Sequence, residues 1–183
     1  RDNQYHHMLA LATNETGYKN LVKLVSKGFL EGFYYKPRVD RELLAQYSEG
    51  IIATSACLGG EIPQQILKQE LKEARYRASE LAEIFGQGNF FLELQNHGLP
   101  EQQAVNEALV RMSAELNLPL VCTNDVHYLR KQDAQPHEVL LCIQTGQTMN
   151  SPKRLRYGPP NFYLTSPEEM GTLFGAWPEA LEN

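Results

Sequence analysis

In the stretch VCTNDVHYL, Val121–Leu129, an apolar run ends in a carboxylate and an imidazole two residues apart. Residues i and i+2 of an extended chain share a face, so Asp125 and His127 are expected to converge on one object. Carboxylate oxygen and neutral imidazole nitrogen together suit zinc, manganese or iron; the plainer alternative is a capped turn with a partly exposed histidine. Asn124 precedes the pair and Tyr128 follows it. Cys57, in TSACLGG, follows the apolar run from Ile51 and precedes Gly59 and Gly60. It reads either as a small hydrophobe at a tight turn or as a thiolate ligand, with glycines that let the backbone approach a charged centre.

The histidines are less specific. Of the two that open HHMLALA, alternation puts His7 on the face of Leu9 and Leu11. A strand start, however, lies at the wrong end of a parallel barrel, so spacing alone does not make His7 a ligand. His97, in LQNHG, could be a ligand, a substrate contact or a turn residue. His137 opens a helix and reads as a structural hydrogen-bonder, while Cys122 and Cys142 sit among apolar residues and read as core. Lys153–Arg156, KRLR, places three cations in a Pro-rich loop, a solvated segment or a contact for phosphate.

These residues need elements to position them. Apolar runs of strand length alternate with amphipathic stretches, the pattern of βα units around a parallel sheet. The expected strands are HHMLALA, EGIIATSA, NFFLELQNHG and LPLVCTNDVHYL. The first helix carries a stripe of Tyr18, Leu21, Val22, Val25 and Phe29. Asp40 is placed as the N-cap of a short helix over VDRELLAQY. One long helix is expected to run from Ile62 through Phe85, and Pro100 suits the first turn of the next. Residues 147–165 read as a Pro-rich connection leaving the βα region, followed by a helix started by a capping box of Ser166 and Glu169. Four such units suit half of a barrel or an open sheet, and in either the chemistry gathers at the C-terminal ends of the strands.

Composition sets the limits. The 183 residues suffice for one sizeable core, and 42% hydrophobic with 21% charged residues is ordinary for a globular protein. A net charge of −5 excludes a domain that sheathes nucleic acid over its whole surface. No apolar run reaches the roughly 18 residues of a membrane span. Three widely spaced cysteines argue against a disulfide framework and for a reducing cytoplasm. Both ends read as cut, so the chain is expected to be an excerpt of a longer polypeptide.

Longer words add a resemblance. HMLALATNETGYKNLVKLVSKGFLEGFYYKPRVDRELL, SEGIIATSACLGGEIP, FFLELQNHGLPEQQAVNEAL, LPLVCTNDVHYLRKQDAQPHEVLLCIQTGQTM and FYLTSPEEM resemble, in that order, the polymerase-and-histidinol-phosphatase (PHP) domain of the bacterial DNA polymerase III α-subunit family. The resemblance implies an α/β fold, part of a distorted (β/α)7 TIM-like barrel, over residues 1–146. Residues 147–183 would form an irregular Pro-rich extension with short helices leading toward the polymerase palm. It implies metal ligands at His7, Cys57, Asp125 and His127, with the family's earlier ligands upstream of this span. His97 and Asn124 are left as a second layer or as substrate contacts, and no catalytic side chain is assigned beyond the ligands.

The implied activity is DNA-directed DNA polymerisation for the parent protein. This domain would add a 3′–5′ exonuclease with zinc, or manganese, as cofactor; magnesium belongs to the palm, outside these residues. The isolated fragment is expected to be inactive. Implied partners are DNA, the sliding clamp, and the proofreading and clamp-loader subunits of a cytoplasmic, nucleoid-associated bacterial replisome, with no membrane. Two alternatives stay open: a metal-stabilised scaffold without catalysis, and a free-standing phosphomonoesterase of the histidinol-phosphatase kind.

Overall fold

A computed structural model of the chain describes residues 5–183. Strands β1 (Leu9–Ala12), β2 (Ile51–Thr54), β3 (Phe90–Leu94) and β4 (Leu120–Cys122) form one sheet in that order. β2, β3 and β4 are parallel, as the βα alternation predicts. β1 is not: it runs antiparallel to β2, with Leu9 opposite Thr54 and Ala12 opposite Ile51. The reason lies in the connection. Helices α1 (Glu15–Leu30) and α2 (Arg41–Gln46) bring the chain back to the end of the sheet it left, where the Thr13 N–H donates to the Gly50 carbonyl at 2.9 Å. A periodicity argument sees helix between strands and cannot tell this return from a crossover.

The crossover from β2 to β3 contains α3 (Glu61–Leu67) and α4 (Leu71–Phe85), not one long helix. The break is a Schellman closure: Gln69 is left-handed (φ 64°), and the Glu70 and Gln69 N–H groups donate to the Gln65 and Ile66 carbonyls. Glycine normally marks such a cap, and glutamine gives no sequence signal for it. α5 (Pro100–Leu116) joins β3 to β4, with Pro100 in its first turn. α6 (Ala134–Thr145), α7 (Pro167–Phe174) and α8 (Pro178–Glu182) follow. The Asp40 side chain accepts from the Leu43 N–H at 2.9 Å, and Ser166 and Glu169 form the expected capping box.

One face of the sheet carries the core. Ile51, Ala53, Phe90, Leu92 and Leu94 are at most 1% exposed and pack with Ile62, Ala74, Ala78, Leu81 and Leu109 of α3, α4 and α5. The opposite face presents Leu9, Thr54, Glu93 and Thr123, and the loops that follow the strands rise from this side. α1 differs from its expected packing. Its buried residues are Gly17, Asn20, Leu24 and Gly28; of the expected stripe Leu21 packs against the core, whereas Tyr18, Val22, Val25 and Phe29 are exposed. Close approach decides this: a Cβ on Gly17 would lie 1.8 Å from the Gly50 oxygen, so the narrow face fits and the bulky stripe is turned out.

The last segment returns to the sheet. Phe174 and Ala180 are within the main core, the Asn183 side chain donates to the Leu120 carbonyl at 2.8 Å, and Tyr128 and Tyr163 form a parallel bridge. Where the sequence reads a connection that leaves, the structure has one that crosses the ends of β3 and β4.

Candidate metal centre

The reversal of β1 changes what its first residues can reach. Because β1 starts beside the end of β2, His7 stands over the turn that carries Cys57. The His7 N–H donates to the Gly59 carbonyl at 2.9 Å, and His7 Nδ1 lies 3.6 Å from Cys57 Sγ. Two ligands of a tetrahedral zinc, with Zn–N about 2.0–2.1 Å and Zn–S about 2.3 Å, stand about 3.6 Å apart. The separation of His7 Nδ1 and Cys57 Sγ equals that spacing.

Both glycines of the turn are needed for this contact. A Cβ on Gly60 would meet the Ser55 oxygen at 2.0 Å, and one on Gly59 would come within 2.9 Å of His7 Nδ1. Burial is the main force pushing the Cys57 thiol up, and the nearby Asp125 and Glu93 carboxylates add to it.

Asp125 joins the pair across a cleft of about 820 Å³ lined also by Glu93, Gln95, Thr123 and Asn124. β4 is shorter than expected and ends at Cys122. Asp125 has φ 39°, so the chain is not extended there and the shared-face argument for Asp125 and His127 does not hold. His127 instead packs beside Tyr157 (ring centroids 4.4 Å apart), Phe162 (5.4 Å) and His137 (5.9 Å). Its Nδ1 donates to the Asp125 carbonyl at 2.6 Å. A carbonyl only accepts, so Nδ1 carries a proton and any metal contact of this ring would have to be made through Nε2.

His97 is 0% exposed. Its Nε2 donates to the Asn124 carbonyl at 2.8 Å, its Nδ1 accepts from the Gln102 amide at 2.7 Å, and its ring stacks on Phe162 at 3.9 Å. Both nitrogens are taken, which leaves no edge for a substrate or an ion. Burial holds the His97 imidazole below its ordinary value. Asn124 is also buried: its amide donates to the Tyr163 carbonyl, while its Oδ1 has no partner among the described residues. Cys122 belongs to the core side, and burial pushes its thiol up to about 12.

The structure thus brings His7 and Cys57 into contact, places Asp125 on the same cleft, and sets His127 behind it on the same loop. Among the described residues no three His, Cys, Asp or Glu side chains converge closely enough to form an ion site alone. Glu93, Thr54 and Thr123 were not singled out by sequence. The glutamate in FFLELQ interrupts an apolar strand, and that interruption was the available signal.

This α/β chain, with a histidine–cysteine pair at the strand ends of its sheet, belongs to the PHP domain family, whose match covers residues 1–97. It is similar over nearly its whole length to DNA polymerase III subunit alpha from several bacteria. Identity is 50% over 179 residues with the Thermus aquaticus protein, 46% over 180 with that of Treponema pallidum, and 48% over 178 with that of Borreliella burgdorferi. These alignments take in 97–98% of this chain but only 14–15% of each relative. The chain therefore spans about a seventh of the length of those relatives.

Proposed function

We propose that this chain is part of the PHP domain of a DNA polymerase III α subunit and that its cleft binds divalent metal, zinc first, for hydrolysis at the 3′ end of DNA. The observation that carries the reading is the 3.6 Å contact of His7 Nδ1 with Cys57 Sγ on a cleft shared with Asp125. In this proposal the sheet is one sector of a distorted (β/α)7 barrel. Its polar face, with Leu9 and Leu11 exposed on β1, is turned to the barrel interior. Further donors come from other parts of the polypeptide. Polymerisation belongs to a palm outside these residues, with its own magnesium. DNA, clamp, clamp-loader and proofreading subunits are partners of the whole assembly, in a bacterial cytoplasm. Among the described residues, no helix is long and apolar enough to cross a membrane.

His7, Cys57 and Asp125 would hold the ion, with His127 Nε2 as the fourth donor. When bound, divalent ions supply the acidity and the charge compensation that phosphodiester hydrolysis needs at neutral pH. The protein's own part is to fix the donors. The Asp125 carbonyl orients the His127 ring through Nδ1, and Gly59 admits the His7 ring.

Full-length protein loaded with zinc and given a mispaired primer tests the reading. We expect 3′–5′ degradation that is lost in Cys57→Ala and His7→Ala, while polymerisation persists. Asp125→Asn should lower the metal content by elemental analysis. The ring cluster around His127 favours a second reading, a scaffold that metal stabilises without catalysis. Zinc that raises the melting temperature but permits no degradation would select it. A free-standing phosphomonoesterase finds no support in relatives that are polymerase subunits, and hydrolysis of a small phosphate ester without action on DNA would be needed to revive it.

A further inference from the structure

Glu93 is 5% exposed, although it carries a carboxylate and lies mid-sheet. On one side Thr54, the last residue of β2, donates its hydroxyl to Oε2; on the other Thr123, just past β4, donates to Oε1. The Gln95 amide adds a third donor at 2.8 Å, and the Glu93 N–H is itself bonded to Ser55 Oγ at 2.8 Å. The same local device then appears twice. Two residues beyond Thr54 the chain turns left-handed at Ala56 (φ 59°), and two beyond Thr123 it does so at Asp125 (φ 39°). Neither is a glycine, so both turns are strained and must be held. Thr54 Oγ1 holds the first directly by accepting from the Ala56 N–H at 3.1 Å. Cys57 follows that turn, and Asp125 is the other.

We infer that Glu93 is a positioning residue: a buried strut between β2 and β4 that fixes the separation of the Cys57 and Asp125 turns. Burying a carboxylate is costly unless its oxygens are fully bonded, and here they accept from three donors on three consecutive strand ends. The inference rests on the metal reading for its purpose, but the strut itself is a property of the protein without an ion.

Full-length protein with zinc as the probe tests it. In Glu93→Gln one acceptor oxygen becomes an NH2 group that faces a threonine hydroxyl or the Gln95 amide. Zinc affinity, by chelator competition, is expected to fall at least tenfold. Amide exchange at Ala56 in the metal-free protein should accelerate. Thr54→Val should reproduce both changes, and Thr54→Ser, which keeps the hydroxyl, should restore wild-type behaviour. A Glu93→Gln protein with a lower melting temperature but unchanged zinc affinity and Ala56 exchange would overturn the inference and leave Glu93 a plain core group. If His7→Ala and Cys57→Ala do not alter zinc affinity in the wild type, the metal reading fails instead, and Ala56 exchange alone then decides whether the strut exists.

Discussion

At the scale of single residues, the site depends on residues that contribute no donor atom. Gly59 is the sharpest case, because any Cβ there would press on His7 Nδ1. His7 is exposed and can swing away, so Gly59→Ala should leave the fold intact while reducing zinc bound per molecule; elemental analysis beside a thermal melt separates the two effects. His97 shows the opposite balance. His97→Ala removes a stacked ring, deprives the Asn124 carbonyl of its donor and takes from the Gln102 amide its shorter bond, at a cost of about 3–5 kcal/mol, measurable by denaturant unfolding. The sequence placed His97 at a strand end correctly, yet could not show that both nitrogens are consumed, since Gln102 and Asn124 meet it only in the folded chain. Asp125 and His127 were likewise legible as a pair of donor types but not as a geometry. A left-handed aspartate leaves no trace in a pattern that assumes an extended strand.

At the scale of elements, α2, α3 and α4, whose Leu44, Ile62 and Leu81 share the core, are also joined by charge. Arg41 of α2 pairs with Glu61 of α3 and Glu80 of α4, and Arg77 pairs with Glu61, Glu73 and Glu80. All are partly exposed, so solvent screens the network, and Arg41→Ala is expected to cost about 1–2 kcal/mol. Burial by itself would push the Glu80 carboxyl up, but Arg77 and Arg41 outweigh it and hold it below its ordinary value. A carboxyl depressed in the folded state stabilises above the unfolded value and loses that effect as pH falls through the folded one. The melting-temperature difference between wild type and Glu80→Gln should therefore be constant above about pH 4.5 and shrink below it. The caps at Asp40 and Ser166 and three of the four strand directions were readable from spacing, whereas the break at Gln69 that divides α3 from α4 was not. The direction of β1 was not, because two helices lie between β1 and β2, where the chain returns, and two between β2 and β3, where it crosses over. Nor was the buried face of α1, where Gly17 and Gly28 flank Leu24 in the contact.

For the whole molecule, family membership was readable from several words in fixed order, while the packing of the tail was not. Phe174 is 0% exposed and lies in the same core as Leu92 and Leu109. Phe174→Ala should cost about 3–5 kcal/mol, and faster amide exchange along β4, not only in α7, would show that the loss reaches the sheet. The sequence marks 147–165 by its prolines, and prolines signal irregular backbone without saying where it goes. Its path across Phe162 and Tyr163 is set by ring contacts with His97 and hydrogen bonds to Asn124, both distant in the chain.

The backward course of β1 also governs which length changes the chain tolerates. Only Met8 separates His7 from the strand, and each residue of that strand alternates between the helix side and the cleft side. Deleting or inserting a single residue between His7 and Leu9 would turn the imidazole away from the thiol while leaving every helix in place. Compatible indels must fall instead in the long excursion from Thr13 to Gly50, whose closing hydrogen bond absorbs differences in loop size without moving the strand. Homologous chains should accordingly vary in length inside that excursion and keep a constant count from the histidine to the strand, a regularity that alignment can check without any biochemistry.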